Sequence, residues 1–464
     1  MPNMSQTGFG LGLPFLSGRR SGSPKAGSLA NTAIVADFNT WRFAVTTVPP
    51  EDIATATTEQ LRRKRAASFD ELFAFEAAST ETRFYLGQNG YWRNDLSAHQ
   101  PRQDWRDGRG RLRLEAGKTN LLTHSADPSN PVWNATQLSF VDGVDDPAGG
   151  NSAFSLIPTS ADTPHALSRM SAHRASASDG TTYTHSAIVK PDGYGALIFE
   201  CDVTNSGSYR QCGLDIATGA IAGDSSGGAI TMSSCPLPNG FYQVSATFTA
   251  DTSKTIDCGW FIVPHAASAK NFIGDEGAGL IFWNQQLEAG HSPSDPIITN
   301  DTAVSRATET ARFSPLVEAI MQRSTASILV RGRITQPLSA NHRDAVIVGG
   351  GQADMQMLGA HYADSAPHHQ MRGHNGDDFQ FPIDGNWNSR FGAVAAFNET
   401  SISASVNGSQ AMGRDEDGGG DRSALYLSRT ISSASNYADA LYDLVAIYPQ
   451  RLADSDITAL STLP

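Results

Sequence analysis

The chain has 464 residues, of which 43 are Gly and 23 are Pro, and a net charge of −13. This length allows about two to four domains, and the short apolar runs between turn residues are typical of β structure. The negative charge argues against a nucleic-acid-binding protein, which normally has a basic face. With no run of roughly 20 apolar residues and no signal peptide, neither membrane insertion nor secretion by the usual route is expected.

Residues 1–34 are rich in Gly, Ser and Pro and do not have the composition of a domain. One interpretation is a disordered tail. The other is an extended anchor peptide that becomes ordered when it docks into a groove on a partner, because large apolar residues alternate with Gly and a basic pair follows them. The residues predicted to form this anchor are Phe9, Leu11, Leu13, Phe15, Leu16, Arg19 and Arg20.

Residues 35–110 are predicted to form a small mixed α/β shoulder. Pro49-Pro50 precedes a predicted helix over residues 51–66, with acidic residues in its first turn and basic residues in its last, as the helix dipole favours. The basic run is interpreted as a solvated helix end, with a nucleic-acid patch as the alternative. Asn89-Gly90 between two strand-like flanks predicts a β-hairpin.

Residues 111–313 are predicted to form a jelly-roll β-sandwich, because short strands recur there with turns and without helices between them. Arg111–Leu122 is the predicted opening strand. Residues 279–287 form the predicted closing strand and are expected to pair with it. Pro293 and Pro296 then predict an extended strap that leaves the domain.

Residues 325–464 are predicted to form a second β-sandwich with strands at 327–334, 344–349, 391–397, 400–407, 423–428 and 440–448, and a short helix at the end. The fold class is therefore mostly β, with tandem antiparallel sandwiches, an extended N-terminal segment and one short N-terminal helix.

Cys201, Cys212, Cys235 and Cys258 match no zinc pattern. Buried free thiols are the first interpretation, and disulfides the alternative.

Four blocks of the sequence resemble a domain of tailed-phage fibre and head-spike proteins, and they occur in the same order. They are RLRLEAGKTNLLTHSADPSNPVW from Arg111, DGTTYT from Asp179, NGFYQVS from Asn239 and FWNQQLEAGHSPSDPIITNDTAVSRATE from Phe282. RFYLGQNGYWRNDLSAHQPRQDW, from Arg83, is similar to the segment that precedes this domain in such proteins. Lys118 stands where Arg is usual, and Ser294-Asp295 also departs from the usual sequence.

The two ends of the chain also resemble phage proteins. GFGLGLPFLSGRR is similar to the short segment that opens many of them, and LYDLVAIYPQRLADSDITAL is similar to the end of a concanavalin A-like (laminin G-like) lectin domain. The resemblance implies a head-spike or tail-fibre subunit of a phage or gene transfer agent. Such a subunit would be assembled in the bacterial cytoplasm and exposed on the virion.

Glycan binding requires an aromatic face beside planar polar groups. Residues 384–390 supply both, and the distal position of this segment favours it for receptor contact, although a core tryptophan between turn residues is the alternative. The predicted glycan-binding residues are Asp384, Asn386, Trp387, Asn388, Arg390 and His374. Weak calcium candidates are Asp415, Asp417 and Asp421. Four histidines are interpreted as surface loop residues, and metal binding is the alternative for them. They are His361, His368, His369 and His374.

No catalytic motif is found, and no cofactor is expected. The predicted function is a structural virion subunit that attaches by its N-terminus and binds host surface polysaccharide. A capsule depolymerase and a spacer without a ligand are the alternatives. The expected partners are other virion proteins, at a capsid vertex, a portal or tail, or a spike base, and further copies of the chain, since fibres are usually symmetric homo-oligomers. Trimer and pentamer both remain open.

Overall fold

The structure is a computed structural model that describes residues 28–77, 83–97, 99–106, 108–202, 208–251, 255–335, 344–349, 356–363, 366–372, 378–382, 390–415, 422, 424–428 and 439–463. Its contacts divide the chain into two compact units. The first contains residues 1–74, 311–334 and 338–464, and the second contains residues 75–310 and 335–337. Both units consist mainly of antiparallel sheets, and the predicted mostly-β fold class is confirmed.

The second unit contains two six-stranded antiparallel sheets. The strands of one sheet follow in the order Trp133–Thr136, Ala166–Arg169, Asp257–Val263, Ala196–Asp202, Arg210–Asp215 and Ile221–Ala222. Those of the other follow in the order Leu138–Val144, Ala153–Pro158, Gly279–Ala289, Thr182–Asp192, Tyr242–Thr249 and Ile230–Pro236. One apolar core joins the two sheets, because it contains Phe199 and Trp260 from the first and Val244 and Phe282 from the second.

The shorter elements of this unit flank the sandwich. The strand pairs are Tyr85–Leu86 with Trp92–Arg93, Arg102–Asp104 with Arg111–Leu114, Lys118–Asn120 with Val304–Arg306, and Asp162–Pro164 with Asn271–Ile273. The 3-10 turns are Ser171–His173 and Pro238–Gly240.

The closing strand meets the predicted opening strand only at its end, where Leu121 N donates to Leu287 O at 2.9 Å, and the two do not form the predicted β-ladder. Gly279–Ala289 lies inside its sheet, between Ala153–Pro158 and Thr182–Asp192. The predicted opening strand is divided into Arg111–Leu114 and Lys118–Asn120, and the second of these pairs with Val304–Arg306. Ten of the eleven residues of Gly279–Ala289 are buried, so the strand lacks the alternation of a half-exposed strand.

A β-bulge at Asn284 lets Gly279–Ala289 bury polar side chains as well as apolar ones. The register shifts there by one residue, and Asn284 has a left-handed φ of 42°. Asn284 Oδ1 accepts a hydrogen bond from Ser125 Oγ at 2.7 Å. Farther along the strand, the Glu288 carboxylate accepts hydrogen bonds from the backbone and hydroxyl of Ser294, at 3.1 and 2.5 Å. These bonds hold the predicted strap against the sandwich.

The first unit contains two further sheets. One has the strand order Lys64–Ala67, Arg42–Thr46, Ile34–Asp37, Ala440–Tyr448, Ala326–Ile334, Arg390–Phe397, Ser401–Val406 and Met412–Asp415. The other includes Asp378–Pro382, Ala366–Arg372, Gln356–Ala363, Asp344–Gly349, Tyr426–Leu427 and Glu309–Phe313, the last of which pairs through Ala311 and Arg312. Phe73–Ala77 is the strand at the unit boundary.

The helices are short. In the described part of the chain they are the α-helices Thr58–Leu61, Phe69–Leu72, Pro315–Met321 and Asp454–Ser461 and, in the first unit, the 3-10 turns Leu29–Asn31 and Pro50–Asp52. None of the helices in the described ranges has the length and apolar character to cross a membrane.

The predicted shoulder is divided between the two units, and its predicted helix over residues 51–66 is wrong. Pro50–Asp52 forms a 3-10 turn, Thr57 caps a single turn at Thr58–Leu61, and the basic run enters the strand Lys64–Ala67. Lys64 Nζ donates to the carbonyl oxygen of Thr32 at 2.7 Å. Burial and the Arg62 charge lower the pKa of Lys64 to about 8. The basic segment is therefore held by contacts with other segments of the first unit, and not by the dipole of a helix.

A buried ion cluster joins segments of the second unit that are far apart in the sequence. It consists of Arg83, Arg102, Arg106, Arg113, Arg306, Asp104, Glu115, Asp295 and Glu309. Arg102 is fully buried, with Nη1 at 2.8 Å from Asp295 Oδ2 and Nη2 at 2.9 Å from Glu115 Oε2. All of its members except Arg106 come from three of the segments that resemble the phage proteins, so these segments meet in space.

Candidate functional site

The hairpin Tyr85–Leu86/Trp92–Arg93 holds an aromatic and polar turn at the surface of the second unit. Gly87 N donates to Tyr91 O at 2.9 Å, and Gly90 has a φ of +80°, which its missing side chain permits. Trp92 N donates to Pro147 O at 2.9 Å and ties the hairpin to the neighbouring loop. The Asn-Gly turn predicted from the sequence is confirmed.

An open cavity of about 540 Å³ lies between this hairpin and that loop. The residues that line it are Asn89, Tyr91, Trp92, Arg93, Asn94, Asp95, Ala148 and Gly149. The side chain of Tyr91 is 37% exposed, which makes it one of the most exposed large side chains with apolar surface in the described residues. We call this feature the hairpin cavity.

The loop on the far side of the cavity is fixed by the Asp146 carboxylate. It accepts hydrogen bonds from the backbone N–H groups of Ala148, Gly150 and Ser152 at 2.8 to 2.9 Å. Gly149 has a φ of +83°, and a Cβ there would lie 3.2 Å from Cδ1 of Tyr91. The glycine backbone therefore packs directly beside the tyrosine ring and sets its position in the cavity wall.

Arg93 and Asp95 form an ion pair on the hairpin side of the cavity. Tyr85 donates its hydroxyl to Asp95 Oδ1 at 2.7 Å. The hydrogen bonds from Arg93 and Tyr85 lower the pKa of Asp95 to about 2. The carboxylate is therefore ionised at neutral pH, and its charge offsets that of the Arg93 guanidinium.

Trp92 lines the cavity and has a buried indole N–H without a hydrogen-bond partner. Its residue is 2% exposed, and its indole Nε1 has no hydrogen-bond partner. Buried N–H groups are nearly always paired in folded proteins, because an unpaired one costs about 1–3 kcal/mol. Because the Nε1 atom is itself buried, a ligand in the cavity does not reach it unless the surrounding side chains move.

The glycan-binding residues predicted from the sequence lie almost entirely outside the described residues. This applies to Asp384, Asn386, Trp387, Asn388 and His374. Arg390 is described, and its Nη2 lies 3.2 Å from Oδ2 of the buried Asp443. The guanidinium is thus engaged by the sheet, and the assignment of a glycan site to this segment stays a prediction.

Most of the predicted anchor and calcium residues also lie outside the described residues. The anchor residues Phe9, Leu11, Leu13, Phe15, Leu16, Arg19 and Arg20 lie outside the described residues, as do Asp417 and Asp421, whereas Asp415 ends the strand Met412–Asp415. The loop location expected for His361, His368 and His369 is wrong. These histidines lie on the paired strands Gln356–Ala363 and Ala366–Arg372.

The four cysteines are thiols without disulfide bonds. All four cysteines are free, with Cys201, Cys212 and Cys258 buried and Cys235 exposed, so the expected burial is confirmed for three of them. Within the described ranges, no group of three or more His, Cys, Asp or Glu side chains is placed to hold a metal ion.

The sequence contains one signal for the hairpin cavity. Residues 88–95 read Gln-Asn-Gly-Tyr-Trp-Arg-Asn-Asp, which is the same mixture of aromatic and planar polar residues that singled out residues 384–390. The Asn-Gly turn alone predicts a hairpin. The loop at 146–150, which closes the other side of the cavity, lies more than fifty positions away and has no sequence feature that links it to the hairpin.

Comparisons with known proteins gave structural likenesses alone, since no family model and no curated protein matches the sequence. One similar structure is the CBM40 of the Ruminococcus gnavus IT-sialidase bound to α2,3-sialyllactose, with 14% identity over 32% of this chain and 89% of that chain and a TM-score of 0.25. Another is the binding domain of botulinum neurotoxin DC, with 14% identity, 33% and 39% coverage and a TM-score of 0.25. A leech intramolecular trans-sialidase is similar at 10% identity, with 32% and 25% coverage and a TM-score of 0.25.

Proposed function

We propose that this protein binds glycans non-catalytically through the hairpin cavity, as a surface subunit of a phage or phage-like particle. The observation that supports glycan binding is the exposed ring of Tyr91 at a cavity that is otherwise lined by amide, guanidinium and carboxylate groups. Sugars place their C–H faces on aromatic rings and their hydroxyl pairs on planar polar groups.

The charges at the cavity favour neutral sugars. Asp95 neutralises Arg93 at close range, and the other polar side chains in the wall, Asn89 and Asn94, are uncharged. An acidic glycan or a phosphate would need an arginine or lysine without a carboxylate partner. The ligand class that fits is therefore a neutral polysaccharide with exposed hydroxyl pairs.

The particle assignment is supported by the sequence blocks that resemble head-spike and tail-fibre proteins, and by the Gly- and Leu-rich N-terminal segment. In this proposal residues 1–34 attach the protein to other virion proteins, and the β-sandwiches are exposed on the particle. The protein is a homo-oligomer, as fibres usually are. The segment at 384–390 is a second candidate glycan contact, on the composition of its sequence.

Replacing Tyr91 with alanine is expected to weaken binding to a neutral polysaccharide by about tenfold or more, because the stacking surface is lost while the fold is retained. Tyr91 is exposed enough that the free energy of unfolding should change by less than about 1 kcal/mol. The measurement is a glycan array followed by calorimetric titration of the best neutral ligand.

The matched control is Ile273→Ala, which removes an exposed side chain of the same unit away from the cavity. Equal affinities of Tyr91→Ala and the unchanged protein would exclude the hairpin cavity as the site. The absence of any glycan bound by the full chain would favour the spacer alternative. Release of reducing ends from a bound polysaccharide would show a depolymerase instead of a binding protein.

Deleting Met1–Arg20 is expected to leave a folded protein that no longer joins particles, because the deleted segment contains the proposed anchor residues. The measurement is the amount of the truncated protein that copurifies with particles assembled in its presence. Substituting Ser5 and Ser17 with alanine in the full-length chain is the control and should leave incorporation unchanged. Normal incorporation of the truncated protein would contradict the anchor proposal.

A further inference from the structure

Two cysteines face each other across neighbouring strands in the core of the second unit. Cys201 on Ala196–Asp202 is the direct antiparallel partner of Cys258 on Asp257–Val263. Directly opposed residues project from the same face of a sheet, with Cα atoms about 4.5 or 5.5 Å apart. Disulfides need a Cα separation of about 4.4–6.8 Å, so this pair can be bridged without moving the strands.

An imidazole lies against one member of this pair. His185 Nδ1 is 3.3 Å from Cys258 Sγ. The other ring nitrogen, Nε2, lies 3.2 Å from Gln285 Oε1 and 3.3 Å from Trp260 Nε1. These contacts fix the ring plane. Because Nε2 accepts the hydrogen bond from the Trp260 N–H, the ring proton is on Nδ1, which faces the Cys258 sulfur as a donor and can stabilise its thiolate.

The two thiols differ in their environments. A hydrogen bond from Cys201 and the nearby His185 lower the pKa of Cys258, whereas burial raises the pKa of Cys201. The remaining charged neighbours are Arg169, which interacts electrostatically with Cys258, and Asp202 and Asp257, the last pair of the same ladder. Cys258 therefore has the character of an attacking thiolate, and Cys201 that of the thiol that resolves its oxidised form.

We propose that Cys201 and Cys258 form an oxidation site at which a peroxide converts the two thiols into a cross-strand disulfide. The Cys258 sulfur attacks one peroxide oxygen, the O–O bond breaks, and Cys258 becomes a sulfenic acid while water leaves with the second oxygen. The Cys201 sulfur then attacks the Cys258 sulfur, the S–O bond breaks, and a second water is released. Two thiols and one hydrogen peroxide thus give one disulfide and two waters, with the electrons passing from sulfur to the peroxide.

A small oxidant suits the position of the pair. Cys258 is 5% exposed and Cys201 is fully buried, which excludes a bulky oxidant from the native fold. The pair is the second from the end of its ladder, next to Asp202 and Asp257, which are themselves only 5% and 8% exposed. A peroxide therefore reaches the two sulfurs when this end of the ladder opens. Cys212 and Cys235 have no cysteine opposite them, because their strand partners are Phe199 and Gln243.

The test uses the full chain with Cys212→Ser and Cys235→Ser, which leaves the two core thiols as the only cysteines. The folded protein is treated with hydrogen peroxide, quenched, alkylated in denaturant and digested for mass spectrometry. The expected result is a peptide pair linked through residues 201 and 258, which a thiol reductant separates. The thermal midpoint should rise by about 5–10 °C on oxidation, because the bond closes a long loop of the unfolded chain.

Two further variants in the same background separate a reaction site from a simple core pair. Cys201→Ser should leave Cys258 as a sulfenic acid that a dimedone probe captures, without a linked peptide. His185→Gln should slow disulfide formation by about tenfold, because the thiolate loses its neighbouring imidazole. If the His185→Gln variant does not fold, disulfide formation in the protein with Cys212→Ser and Cys235→Ser still tests whether Cys201 and Cys258 form the oxidation site.

The proposal is overturned if both core thiols of the double serine variant remain open to alkylation after peroxide treatment under native conditions. It is also overturned if the disulfide forms only in unfolded protein or links two copies of the chain. An unchanged oxidation rate in a folded His185→Gln variant would contradict the role given to the imidazole.

Discussion

Replacing Arg102 with methionine is expected to lower the free energy of unfolding of the second unit by about 3–5 kcal/mol. The guanidinium contacts the carboxylates of Glu115, Asp295 and Glu309, all of them buried, and also donates to the carbonyl oxygen of Phe84 at 2.7 Å. Methionine fills similar volume without a charge. The loss therefore arises from carboxylates that remain buried with too few partners.

Urea denaturation followed by tryptophan fluorescence measures this change in the second unit, since all tryptophans except Trp41 and Trp387 lie in residues 75–310. The control is Arg109→Ala, an exposed arginine of the same unit, which should change the free energy of unfolding by less than about 0.5 kcal/mol. A loss below about 1 kcal/mol for Arg102→Met would show that the neighbouring arginines of the buried ion cluster compensate these carboxylates.

The isolated fragment 325–464 is expected not to fold cooperatively, although the sequence predicts it as a domain. Its sheet depends on the strand Ile34–Asp37, in which Ile34 is paired with Ile447 and Asp37 with Leu444. Without this strand, one side of Ala440–Tyr448, whose residues are all buried, loses its hydrogen-bond partners and is exposed to water. An unpaired apolar strand of this length favours aggregation over folding.

A chain that joins residues 28–74 to residues 311–464 should restore cooperative unfolding. The two segments meet within the first unit, where Ser314 N donates to Leu72 O at 2.8 Å, so a short glycine and serine linker can connect them. The measurement is the thermal transition followed by near-ultraviolet circular dichroism. The joined chain with Ile34→Asp is the control and should behave like the fragment. A sharp transition in 325–464 alone would contradict the dependence on the N-terminal strand.

Local sequence patterns were sufficient where a strand is apolar and bounded by turn residues. The strands Asp344–Gly349 and Ala440–Tyr448 were predicted with the bounds that the structure has. The turn residues also predict strands at 182–190, 210–216 and 240–250, and the structure has them within two residues at each end, as Thr182–Asp192, Arg210–Asp215 and Tyr242–Thr249. In these segments β propensity, burial and turn chemistry all favour the same conformation.

Local patterns failed where polar or charged segments take their structure from distant partners. Gln356–Ala363 and Ala366–Arg372 contain His and Gln and were taken for a loop, but backbone pairing makes them strands. The segment at 51–66 has the charge order of a helix, yet its last three residues belong to the strand Lys64–Ala67, which pairs with Arg42–Thr46. A weak local preference of this kind is readily overridden by tertiary pairing.

The sequence by itself determined the mostly-β fold class, the positions of most apolar strands and the hairpin at Asn89-Gly90, because each depends on residues that are close together in the chain. Only the tertiary structure decided that Ile34–Asp37 belongs to the C-terminal sheet, that Gly279–Ala289 is central in its own sheet, and that the loop at 146–150 closes the hairpin cavity. These features depend on contacts between residues that are tens to hundreds of positions apart. Which distant segments meet is set by the packing of the whole unit, and no local pattern contains that information.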